Sequence, residues 1–139
     1  VSTLAEFSRR IAAIDVVGNI NRGMHEVAIA VDQTVVLATP VDTGRARSNW
    51  LVQLDSPTND TVEPAGVGEA ATQPSIDAAK ATIKTYDCRA NTAIHITNNL
   101  PYIEPLNNGH SAQAPAGYVE QAIQAGVEAV RNIRVLNDN

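Results

Sequence analysis

The chain has five aromatic side chains and 21 alanines among its 139 residues. Aromatic rings usually supply much of the bulk in a core. Here the interior has to be thin, filled by small and aliphatic side chains that bring backbones close together. Leu, Ile, Val and Phe number 34, enough for a small core and too many for a disordered chain. The length fits one domain over residues 1–139. A thin core leaves a small domain marginal alone and makes association stabilising.

Fifteen acidic against ten basic side chains leave a net charge of −5, which disfavours a module that grips duplex DNA. No apolar run approaches the ~18 residues of a membrane span; the most apolar stretch, 27–38, is interrupted by Asp32 and Gln33. A single cysteine, Cys88, rules out an internal disulfide or a thiolate metal cluster and fits a reducing compartment. The first residues, VSTLAEF, show neither the basic nor the apolar part of a secretory leader. They read as a cytoplasmic product that has lost its initiator Met.

Periodicity predicts an α+β chain: a small antiparallel or mixed sheet between long N-terminal and C-terminal helices, with one long acidic loop. Thr3 and Glu6 form a capping-box pair. Leu4, Phe7, Ile11 and Ile14 follow at helical spacing, with Gly18 and Asn19 as the expected stop. A second helix is expected from Asn21, with an apolar stripe of Met24, Val27, Val31, Val35 and Ala38, ended by Pro40. Asn49–Leu54 reads as a strand with Trp50, Val52 and Leu54 on one face. A third helix opens at Pro74-Ser75 and buries Ile76, Ala79, Ile83 and Tyr86. Thr92–Asn98 reads as a second strand, with Ile94 and Ile96 inward and His95 outward. A last helix, 117–133, is expected to bury Val119, Ile123, Val127 and Val130.

Residues 55–73 contain four acids, Asp55, Asp60, Glu63 and Glu69, and no base; indeed no Lys or Arg lies between Arg47 and Lys80. Composition makes this a solvated loop or an acidic projection with a function of its own.

Catalytic chemistry is thinly represented. His25-Glu26 lacks the second histidine of a zinc-protease motif, and no spacing forces His25, His95 and His110 together. Cys88 beside Arg89 could form a nucleophile pair with His95 or His110. No cysteine-hydrolase signature surrounds it, and a lone cysteine is usually a small half-buried residue. There is no phosphate-binding glycine loop. Arginine outnumbers lysine eight to two, and Arg45 and Arg47 read either as a solvated pair at a strand start or as fixed carboxylate contacts to another subunit or a neighbouring protein.

Three blocks carry a more specific signal. The first is Thr39-Pro40-Val41-Asp42-Thr43-Gly44-Arg45-Ala46-Arg47-Ser48-Asn49-Trp50, in which Asp42, Thr43 and Gly44 shape a helix-to-strand turn and Trp50 is the largest core anchor. The second runs from Ile96 to Gly109. Pro101 and Tyr102 would fix the chain after its strand, while Asn107, Asn108 and Gly109 supply a left-handed turn. The third is Ala114-Pro115-Ala116-Gly117-Tyr118-Val119. In order and spacing, over roughly residues 20–133, these blocks resemble the neck, or tail-completion, proteins of tailed bacteriophages.

The resemblance implies a non-enzymatic virion protein without cofactor, catalytic or metal site. It implies a hexameric or dodecameric ring at the head–tail junction, as connector, completion protein or tail terminator. Its neighbours would be other neck proteins, a portal adaptor or the tail tube, with genomic DNA passing through and no membrane involved. The acidic loop would line the conduit, where like charge discourages DNA from sticking. A minor capsid or decorating protein is the alternative, with a small Cys/His hydrolase behind it.

Overall fold

The computed structural model describes residues 3–42, 44–109 and 114–131. The fold is α+β. Helix α1 spans Leu4–Ala12. Both bonds of its capping box form: Glu6 N–H donates to Thr3 Oγ1 at 3.1 Å and Thr3 N–H to the Glu6 carboxylate at 2.8 Å.

Helix α2, Val16–Ala38, starts earlier than its periodicity suggests. The expected stop at Gly18 and Asn19 lies inside it. Asp15 is the N-cap, accepting from Gly18 N–H at 2.9 Å. A Cβ on Gly18 would collide with that carboxylate, so this glycine accommodates a cap and does not end a helix. Asn21, the expected start, lies a full turn inside α2. The buried side chains of α2 are Asn19, Ala28, Asp32, Val35 and Val36; the expected stripe is rotated, with Met24, Val27, Val31 and Ala38 half-buried. Helix α2 stops at Thr39, just before Pro40, and Thr39 Oγ1 donates to Val35 C=O at 2.6 Å.

A single helical turn, α3 (Arg45–Ser48), precedes strand β1 (Leu51–Leu54), which is therefore shorter than expected and excludes Trp50. The acidic stretch is a loop only to Val67. Gly68–Ala71 form a 3-10 turn that leads into α4, Thr72–Ile83. Helix α4 begins two residues before Pro74, which fits in the first turn because amides there lack an intrahelical acceptor. Its expected face is buried: Ile76, Ala79 and Ile83, followed by Tyr86.

Strand β2, Ile94–Thr97, pairs antiparallel with β1, Leu51 opposite Thr97 and Leu54 opposite Ile94. Short helix α5 (Ile103–Asn107) and helix α6 (Tyr118–Ala129) complete the described elements.

Helix α2 is the spine. It packs on α6 along one side and on α4 along another, and α4 also covers β1. One apolar cluster joins Val35, Val36, Trp50, Ile76 and Ala122; a second joins Ala28, Ala79 and Ile83 against Val52 and Ile94. Small residues set the spacing, as the composition requires. A Cβ on Gly126 would lie 2.8 Å from Val31 Cα, so α6 and α2 touch backbone to backbone there. Thr34 Oγ1 donates to Ala122 C=O at 2.7 Å across the same contact.

Of the expected α6 face, Val119 packs half-buried against the first cluster, but Ile123 and Val127 are overturned. Tyr118, Ala122 and Gly126 are buried, whereas Ile123 and Val127 are exposed. Helix α1 has no buried residue at all. Among the described residues no helix is long and apolar enough to cross a membrane.

Candidate functional site

The first motif block folds into one hydrogen-bonded junction centred on Arg47. The Arg47 side chain is buried. Its Nε donates to Thr39 C=O at 2.8 Å and its Nη2 to Leu37 C=O at 3.0 Å. These are carbonyls at the end of α2, where a helix has no amide of its own to offer them. Arg47 Nη1 donates to Thr72 Oγ1 at 2.9 Å and to the Glu69 carboxylate at 3.1 and 3.2 Å. Ser75 Oγ returns a bond to Arg47 C=O at 2.8 Å. One guanidinium thus ties the end of α2 to the start of α4. The expected intersubunit role of Arg47 is corrected: its carboxylate partner lies 22 residues along the same chain.

Trp50 is buried and its Nε1 donates to Thr39 Oγ1 at 2.9 Å. Gly44 has φ +79°, and a Cβ there would lie 2.7 Å from Ala71 Cβ. Both the left-handed backbone and the close approach to the 3-10 turn require glycine. Asp42 is exposed, Arg45 is exposed at the start of α3, and Thr43 lies outside the described residues. Asn49 is fully buried and braces the acidic loop, donating to Val62 C=O at 2.9 Å and accepting from Val62 N–H at 2.8 Å.

The second block reaches the first through Asn98, whose Nδ2 donates to Ala46 C=O at 3.0 Å. Pro101 is exposed and Tyr102 is partly exposed at the start of α5. Asn107 links the second and third blocks. Its Oδ1 accepts from Val119 N–H and its Nδ2 donates to both oxygens of Glu120, each at 2.9 Å. That side-chain bond is the main cause holding the Glu120 carboxyl below its ordinary pKa. Gly109 has φ +93°, the left-handed turn expected there.

The four acids of the loop separate into distinct roles. Asp55 adopts φ +71° just after β1. Its carboxylate accepts from Thr92 N–H at 2.7 Å and from Asn91 Nδ2 at 2.9 Å, ahead of β2. The Thr92 amide, followed by Asn91, holds its pKa below the ordinary value. Glu69 is the Arg47 partner. Both carboxylates are hydrogen-bonded within the chain and remain on its surface. Asp60 and Glu63 are exposed as well. They line an open cleft of about 360 Å³ with Trp50, Val52, Ser75 and Ala79, between β1 and α4.

The groups weighed for catalysis do not gather. His25 lies on α2 with Nε2 at 2.8 Å from Tyr86 C=O and its ring edge-on to Tyr86, facing the end of α4. Cys88 is half-buried, its N–H donating to Asn21 Oδ1 at 2.8 Å. His95 sits on β2 opposite Gln53. His110 lies outside the described residues. Among the described residues no group of three or more His, Cys, Asp or Glu is placed to hold a metal.

Asp32 interrupts the apolar run 27–38. It is 1% exposed, on the core face of α2, with neither carboxylate oxygen hydrogen-bonded among the described residues. Burial pushes its pKa up to about 7. The signal available in sequence was its place one turn from Ala28, Val35 and Val36.

No family model matches the chain, and no curated protein or solved structure matches it either.

Proposed function

We propose that this chain is a non-enzymatic virion protein, forming a homo-oligomeric ring of six or twelve copies at the head–tail junction of a tailed phage. The observation that carries this reading is the use to which the motif blocks are put. Their polar side chains, Arg47, Asn49, Trp50, Asn98 and Asn107, bond to backbone and side chains of the same subunit. A motif consumed in this way specifies a shape, whereas an active site keeps polar groups available to a substrate.

Two further features support assembly. Strands β1 and β2 pair only with each other among the described residues, so each keeps one edge that can template a neighbour. Contacts between unlike surfaces close into a ring after a full rotation. The exposed loop carboxylates Asp55, Asp60, Glu63 and Glu69 face DNA in the conduit, beside other neck, adaptor or tail-tube subunits.

The test is deletion of the gene from the phage that carries it, with mass-spectrometric copy counting on purified particles. Six or twelve chains per particle, and separate filled heads and tails after deletion, are expected. Copy numbers that follow the shell would instead assign a minor capsid or decorating role. Intact infectious particles after deletion would overturn the neck assignment.

A further inference from the structure

Two helices present bulky aliphatic stripes to solvent. On α1, Leu4, Phe7 and Ile11 are 80, 56 and 54% exposed. On α6, Ile123 and Val127 are 42 and 48% exposed, one turn apart on a single face.

The α6 stripe cannot be turned inward by a small adjustment. The Gly126–Val31 approach and the Thr34–Ala122 bond fix the rotation of α6, and its small face already occupies α2. The joint between α1 and α2 is capped on both sides. Ala13 N–H donates to Arg9 C=O at 3.0 Å, Ile14 N–H to Ile11 C=O at 3.1 Å, and Asp15 caps Gly18. Yet α1 is built to be a helix, with both bonds of its capping box formed. A nine-residue helix is marginal in water without a partner for its apolar face.

The charges beside the two stripes are opposite. Arg10 lies one turn from Phe7 on α1, and Glu120 one turn from Ile123 on α6; Arg9 falls on the far side of α1, and Glu128 pairs with Arg131 at 2.7 Å. We propose that the Leu4–Phe7–Ile11 stripe of one copy docks on the Ile123–Val127 stripe of the next, with Arg10 of α1 toward Glu120 of α6. Because the two surfaces differ, the contact is heterologous and propagates from copy to copy until it closes. A single helix-on-helix contact is smaller than the ~800 Å² per partner of a standard interface, so each pairing is weak and a closed ring, with two contacts per subunit, is favoured over a dimer. The inference rests on the ring reading above and names the surfaces that meet in it.

The test uses the full chain and two variants, Phe7→Glu and Ile123→Glu, followed by light scattering and sedimentation over a concentration series. Both positions are exposed in the subunit, so each variant keeps the wild-type unfolding midpoint. The wild type assembles with concentration, and each variant loses at least about a hundredfold in association constant. Mixed together, the two variants form a 1:1 heterodimer that grows no further, since only one intact α1–α6 pair is available.

A wild type that stays monomeric to about 1 mM overturns the proposal. Wild-type assembly that both variants retain also overturns it, while leaving a ring built through other surfaces. Assembly lost in Phe7→Glu alone would mean an α1–α1 contact. A lowered unfolding midpoint without change of mass would mean that the stripes meet within one chain. Each of these two results refutes the proposed contact.

Discussion

Asp32 makes the stability of this subunit depend on pH in a direction opposite to ordinary acid denaturation. Its carboxyl is buried on α2 between two apolar clusters, and its pKa rises from 3.8 to about 7. Between those values the folded chain holds a proton that the unfolded chain has released. Stability from this proton is complete below pH 3.8 and is lost as pH rises through about 7. The ionised form is disfavoured in the fold by about 4 kcal/mol in all. Between pH 5 and pH 8 the expected loss is about 2.5 kcal/mol. Starting at pH 5 keeps the opposing groups out of the window. Asp55, Asp87 and Glu120 have lowered pKa values, so what they contribute is lost only toward stronger acid. Urea unfolding can be followed through the single tryptophan, Trp50, on dilute wild type and Asp32→Asn, which keeps the shape and removes the titration. The difference between the two curves isolates Asp32 from every other titrating group. A wild-type slope that Asp32→Asn flattens is expected. Parallel pH profiles for the two proteins would refute the reasoning, because they would mean that Asp32 finds a partner or water in solution.

Arg47→Met leaves the Leu37 and Thr39 carbonyls without their donor, and a loss of about 2–4 kcal/mol is expected in urea unfolding; Arg47→Lys, lacking the planar fork, is expected to recover less than half of it. Trp50→Ala should cost about 3–5 kcal/mol. Trp50→Phe, which removes mainly the bond to Thr39, should cost only about 1–2 kcal/mol by calorimetry; a loss under about 1 kcal/mol for the alanine variant would contradict the burial of the ring. Gly126→Ala forces α6 away from Val31 and should cost about 1–3 kcal/mol, whereas Ala125→Gly on the exposed side should cost about 1 kcal/mol or less through helix propensity alone.

Helix α4 was the most legible element in the sequence. Ile76, Ala79 and Ile83 recur at helical spacing and only one face of that helix is apolar, so periodicity and packing agree. Helix α6 offers two possible faces, one bulky and one small. Periodicity weighs side-chain size and selects Ile123 and Val127. The fold selects Ala122 and Gly126, because close backbone approach to α2 gains more contact than larger side chains held farther apart. Gly18 looks like a helix stop until Asp15 is seen lying across it. The motif blocks marked where the chain needed fixed geometry, yet the reason could not be read there. Arg47 finds Glu69 and Thr72, and Asp55 finds Asn91 and Thr92, more than 20 residues away. Contacts of that separation leave no local pattern.

The pairing of α2 with α6 also sets the order of events during synthesis. The surface of α2 around Val31 and Thr34 is complete once residue 38 has been made, but the helix that covers it begins at Tyr118. Strand β1 similarly waits for β2, which starts 40 residues after β1 ends. At about 5–20 residues per second, α2 spends several seconds with that surface uncovered. The described fold is therefore complete only once α6 has left the ribosome, and a nascent chain halted before Tyr118 would be a target for chaperones that hold exposed apolar helices.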